Sequence, residues 1–117
     1  MKNINRFFLK KYDLATREKL MLDVAHFIRT EVSPLRLIFF GSVTTDRFDD
    51  FSDIDVIAIF KNTLEATHAM HKIYQCLRPD FGGHSVEILC TDEETFNTKS
   101  KVGGVYAVAL KEGIEFT

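Results

Sequence analysis

The sequence predicts an α/β or α+β domain: a small mixed sheet with helices on its flanks. Three observations lead there. Short apolar runs rich in strand-forming residues occur at 35–40, 54–60 and 85–90. Stretches with apolar residues at helical spacing lie before and between them. The chain has 117 residues, and domains mostly run to about 100–150. A single domain over 1–117 is expected.

In chain order, residues 13–32 form a helix whose apolar face is Leu20, Val24, Phe27 and Ile28. Ser33-Pro34 ends it, because proline disfavours the α conformation in the residue before it. Residues 35–40 are the first strand, and Gly41-Ser42 follows at once. Residues 43–52 are polar and acidic, a loop with or without a short helix. Residues 54–60 are the second strand. Asn62-Thr63-Leu64-Glu65 has the form of a capping box, opening a helix in which Ala66, Met70, Ile73 and Leu77 keep the period. Arg78-Pro79-Asp80-Phe81-Gly82-Gly83 is turn chemistry. After the third strand at 85–90, Thr91-Asp92-Glu93-Glu94 is a second capping box. A last helix covers 105–112, with Gly113 at its C-cap. Ile114-Glu115-Phe116 is a small edge strand.

Apolar residues make up 45% and charged residues 27%, as in ordinary globular domains. The net charge of −2 gives no field to gather nucleic acid and argues against a polynucleotide partner. No apolar run approaches the ~20 residues that span a bilayer. The basic start at residues 1–6 is followed only by Phe7-Phe8-Leu9, too short for a signal peptide. The expectation is a cytoplasmic protein without membrane contact. Cys76 and Cys90 then read as free, buried thiols without metal-type spacing.

The chemistry gathers around the second strand. Side chains two apart on a strand share a face, so Asp53 and Asp55 project together. Paired carboxylates repel unless something positive lies between them, and hard oxygen donors suit Mg²⁺. Glu87 is an acid between Val86 and Ile88, costly to bury unless it is paired or holds a metal. If the second and third strands are neighbours, Glu87 lies beside Asp53 and Asp55. Three such acids suit a two-metal site for phosphoryl or nucleotidyl transfer. Glycine lets backbone approach a ligand closely. The amides of Gly41 and Ser42, with the Ser42 hydroxyl, can therefore cradle phosphate oxygens.

The segment Leu37-Ile38-Phe39-Phe40-Gly41-Ser42, then ten residues to Asp53-Ile54-Asp55-Val56, resembles the minimal nucleotidyltransferase family of the DNA polymerase beta superfamily. The likeness extends over nearly the whole chain, including the ending Val108-Ala109-Leu110-Lys111-Glu112-Gly113-Ile114-Glu115-Phe116. It implies a polymerase-beta-like fold and transfer of a nucleoside monophosphate, AMP from ATP above all, with loss of pyrophosphate. It implies Mg²⁺ held by Asp53, Asp55 and Glu87, with Glu87 also a candidate base. Many relatives carry an arginine three residues after the serine. Here Thr45 stands there, and Arg47 is the substitute for nucleotide binding. The third acid is usually aspartate and is Glu87 here. Small members of the family resemble antitoxins paired with helical HEPN-domain toxins, which implies such a partner and a protein hydroxyl as acceptor. The runner-up is a small-molecule, aminoglycoside-type acceptor, and a third reading is a catalytically weak nucleotide- or partner-binding module. A homo-oligomer is left open.

Other polar residues have plainer readings. Asp46, Asp49 and Asp50 read as a solvated acidic loop. His68 and His71, three apart on one helix, lack a third ligand. His84 precedes the Glu87 strand and lies within reach of the site, though a structural role is the simpler one. Lys99 and Lys101 read as surface charges, and Glu87 has Lys61 as an alternative partner.

Overall fold

The computed structural model describes residues 11–76 and 81–116. The N-terminal residues 1–9, Leu77 and Arg78-Pro79-Asp80 of the sequence reading lie outside the described residues. Helix α1 spans Leu14–Glu31, strand β1 Arg36–Phe40, and a 3₁₀ turn Gly41–Thr44. Then come β2 (Ile54–Phe60), α2 (Thr63–Cys76), β3 (Val86–Asp92), α3 (Glu93–Lys99), α4 (Gly104–Glu112) and β4 (Ile114–Phe116).

Local chemistry sets the helix starts. The Asp13 carboxylate accepts the Thr16 N–H at 2.8 Å and caps α1. The Asn62 side chain accepts the Glu65 N–H at 2.9 Å and opens α2. On α2 the buried face is Ala66, Ala69 and Ile73. Met70 sits on its flank, 38% exposed, and Cys76 is exposed rather than buried. Cys90 is the more enclosed thiol, and burial pushes it up to about 11.

The sheet order is β3-β2-β1-β4. β1 runs antiparallel to β2 and β4, while β2 and β3 are parallel. A parallel pair needs a crossover, and α2 supplies it. On one face α1 and α2 pack Met21, Val24, Ile28, Ala69 and Ile73 against Phe39, Val56 and Ile88. On the other, Phe96 of α3 and Ala109 of α4 cover Ile38, Ile57 and Ile59. β2 is thus buried on both sides, which is why its sequence is apolar almost without alternation. Each large side chain so buried contributes about 1.5–3 kcal/mol. No helix of the described residues is long and apolar enough to cross a membrane.

The later elements differ from expectation in instructive ways. β3 runs two residues further, through Asp92, because its parallel register on β2 continues to Phe60↔Asp92. Thr91 is therefore buried in the strand, and Asp92 caps α3 by accepting the Thr95 N–H at 2.7 Å. Gly113 ends α4 in extended backbone at φ −75°. A Cβ there would meet the Ala109 carbonyl at 2.4 Å and Ile38 Cγ2 at 2.6 Å, so close packing demands the glycine. β4 is then clamped to β1 by Arg36, whose Nε and Nη2 donate to Glu115 at 3.0 and 2.8 Å.

Candidate active site

Sheet register builds the site. The antiparallel pairing sets Phe40 opposite Asp55, so the end of β1 lies beside the start of β2. The parallel pairing sets Asp55 beside Glu87. Asp55 and Glu87 share the face of Ile57 and Ile59, at the start of β2 and β3, and Asp53 immediately precedes β2. Asp53 and Glu87 are exposed and Asp55 is half-buried. The neighbourhood expected for Glu87 from sequence is the one the strands make.

Gly41 has φ +75°, left-handed backbone that favours glycine. A Cβ on it would lie 2.9 Å from Asp55 Oδ2. The turn is seated directly on the carboxylate. It is closed by its own hydroxyls: Thr44 Oγ1 donates to the Gly41 carbonyl at 2.8 Å, and Thr45 Oγ1 to the Ser42 carbonyl at 3.0 Å. Val43 anchors it in the core. Ser42 is half-buried beside it, and Arg47 stands exposed beyond it. Among the described residues Arg47 makes no ion pair. Thr45, at the position of the missing arginine, serves the turn itself.

Burial, then the charges of Glu87 and Asp53, raise the Asp55 carboxyl above its ordinary range. Among the described residues no cation is bridged to any of the three acids, and Lys61 does not pair with Glu87. Nor do three acidic, histidine or cysteine side chains converge tightly enough to enclose an ion. Asp53 and Glu87 lie near enough for their charges to act on Asp55. The donors nonetheless fit a divalent metal. All are hard oxygens, Asp55 lies against Gly41, and Asp53 and Glu87 are exposed.

The other sequence candidates fall elsewhere. Asp49 accepts from the Phe51 N–H at 2.9 Å and the Ser52 hydroxyl at 3.2 Å, so it shapes the loop. Asp46, His68, His71, Lys99 and Lys101 are exposed. Sequence reading passed over Tyr12 and Arg17 and undervalued His84. His84 is 2% exposed, with Nδ1 2.7 Å from the Ser52 carbonyl. Arg17 is 7% exposed and donates to the Val43 carbonyl at 3.3 Å. One signal was available: Arg17 falls on the apolar stripe of its helix, four residues before Met21.

A family model described as nucleotidyltransferase domain matches residues 21–103. A solved structure from Sulfolobus solfataricus, described provisionally as a nucleotidyltransferase, is similar with a TM-score of 0.55 and 21% identity. The match covers 88% of this chain and 81% of that one, and at that identity it speaks for the fold. No curated protein matches.

Proposed function

The chain belongs to the nucleotidyltransferase domain family, and from that premise we propose that it transfers AMP from ATP to a hydroxyl of a partner protein. The observation that carries the reading is the meeting of Gly41, Asp55 and Glu87 across three strand ends. The single domain over 1–117, the metal and the partner belong to the same proposal.

In it, Asp53, Asp55 and Glu87 would hold Mg²⁺, which supplies charge neutralisation along the triphosphate when bound. Gly41 and Ser42 bring backbone amides and a hydroxyl to the phosphates, and Arg47 reaches in from the loop. The acceptor oxygen attacks the α-phosphorus, and the bond to the β-bridging oxygen breaks. Pyrophosphate leaves with that electron pair, and the hydroxyl proton passes to a carboxylate, for which Glu87 is the exposed candidate. Holding the acceptor in line is worth several kcal/mol of barrier.

A partner protein is the simplest source of that positioning. Val102, Val105, Val108 and Leu110, in and just before α4, are all exposed. A docked partner would cover these side chains. A helical HEPN-type partner, with this chain as antitoxin, is the form the family resemblance suggests. A second reading, a catalytically weak nucleotide- or partner-binding module, is favoured by Thr45 spending its hydroxyl on the turn.

The test is intact-mass spectrometry of the protein mixed with its partner, Mg²⁺ and ATP. The expected product is a partner heavier by one or more AMP units. A labelled aminoglycoside with an unmodified partner would replace the protein acceptor by a small molecule. Tight partner binding with no labelled product would establish the binding module.

A further inference from the structure

Two loops carry the proposed site, and both hang by a carbonyl from a buried polar cluster outside it. The Val43 carbonyl, in the Gly41–Thr44 turn, accepts from Arg17 Nη1 at 3.3 Å. The Ser52 carbonyl, immediately before Asp53, lies 2.7 Å from His84 Nδ1. A carbonyl only accepts, so Nδ1 carries the hydrogen.

The two anchors meet at Tyr12. Its carbonyl accepts from Arg17 Nε at 3.3 Å, and its hydroxyl lies 3.1 Å from His84 Nε2. That hydroxyl donates to Asp50 Oδ1 at 2.8 Å. The Tyr12 ring stands edge-on to Phe48 at 5.1 Å and to His84 at 5.3 Å. The Lys11 backbone pairs antiparallel with that of Asp49 beside it, and the Ile54 N–H donates to the Ser85 carbonyl at 2.9 Å. Burying a guanidinium and an imidazole costs free energy unless each donor is used. Here Arg17 Nη1 and His84 Nδ1 are spent on the backbone that presents Gly41-Ser42 and Asp53, and Arg17 Nε on the Tyr12 carbonyl.

We infer that Tyr12, Arg17 and His84 are positioning residues, which set the phosphate turn and the Asp53 loop at the separation that a shared metal–triphosphate ligand requires. This rests on the reading of Asp53, Asp55 and Glu87 as the metal-binding acids. Groups that orient ligands from behind typically change metal affinity by about 10–100-fold when removed.

The test uses Mn²⁺ alone as probe, followed by water-proton relaxation, with amide exchange at residues 41–54 as a second readout. His84→Phe keeps a ring against Phe48 but loses the donor. It is expected to weaken Mn²⁺ binding about 10-fold and to speed exchange at 41–54. His84→Asn, which can still donate to the Ser52 carbonyl, is expected to recover most of both. If His84→Phe does not fold, Tyr12→Phe decides by the same readouts, since it removes one hydroxyl and keeps the ring. A folded variant with wild-type Mn²⁺ affinity and unchanged exchange overturns the inference. Asp55→Asn is the control for the site. If it binds Mn²⁺ as the wild type does, the metal assignment fails, and exchange alone decides: acceleration confined to 41–54 supports the brace, and none overturns it.

Discussion

Burial, Glu87 and Asp53 all push the Asp55 carboxyl toward its protonated form. Its folded-state pKa is raised, so its contribution to stability is full below the ordinary carboxylate range, about pH 4. It is lost as pH rises through the raised value. The metal-free domain at neutral pH therefore carries a cost that Asp55→Asn removes. Thermal melts should show the variant at least as stable as wild type at pH 7, with the difference vanishing below about pH 4. Titration with Mg²⁺ and ATP should show weakened binding in the same variant. Unchanged affinity would remove Asp55 from the site. Gly41 meets the same carboxylate from the other side. Gly41→Ala places an L residue in left-handed backbone, at about 1–2 kcal/mol, and drives its Cβ into Asp55 Oδ2. Both the melting temperature and nucleotide affinity should fall. A melt identical to wild type would show that the turn relaxes without strain.

Elements read best from sequence where local pattern and packing agree. The period of Leu20, Val24 and Ile28 gave α1 to within a residue at each end, because Asp13 and Ser33-Pro34 punctuate it. β2 was legible end to end because both its faces are buried. The α3 start was misplaced by one residue, since the parallel partner that prolongs β3 is far away in sequence. Asp92 shows the consequence. It accepts from the Thr95 N–H and hydroxyl and from the Thr63 hydroxyl at 3.1 Å, joining the starts of α2 and α3. The Thr95 backbone bond above all holds its carboxyl below the ordinary range. With a lowered folded pKa, its stabilisation is present above the ordinary carboxylate range and is lost as pH falls through the lowered value. Asp92→Ala should lower the melting temperature at pH 7 as a lost cap. The gap from wild type should narrow in melts taken below the ordinary carboxylate range.

At the scale of the molecule, the sequence showed which acids could meet but not what holds them. Asp53, Asp55 and Glu87 were legible because strand alternation and one strand pairing suffice to gather them. The place of β4 beside β1, and the pairing of Tyr12 with His84, follow from contacts between distant segments that leave no periodic trace. Residues 12 and 84 are 72 positions apart, and neither falls within an apolar stripe. On this inference the site depends on chain far from its signature, and Tyr12→Ala should loosen it while leaving every acid in the sequence.

Because strand register holds Phe40 beside Asp55, the chain between them is dispensable as a tether. Phe51, 69% exposed in that connection, is open to chymotrypsin. One cut there would yield two peptides, one ending in the phosphate turn and its loop, the other carrying the acids. Expressed apart, the halves form a split reporter whose reassembly is driven by the β1–β2 ladder. Any ligand that touches both halves should tighten it by mass action. Fluorescence from tags on the two peptides, rising with ATP and Mg²⁺ but not with either alone, would convert the domain into a sensor of metal-bound nucleotide.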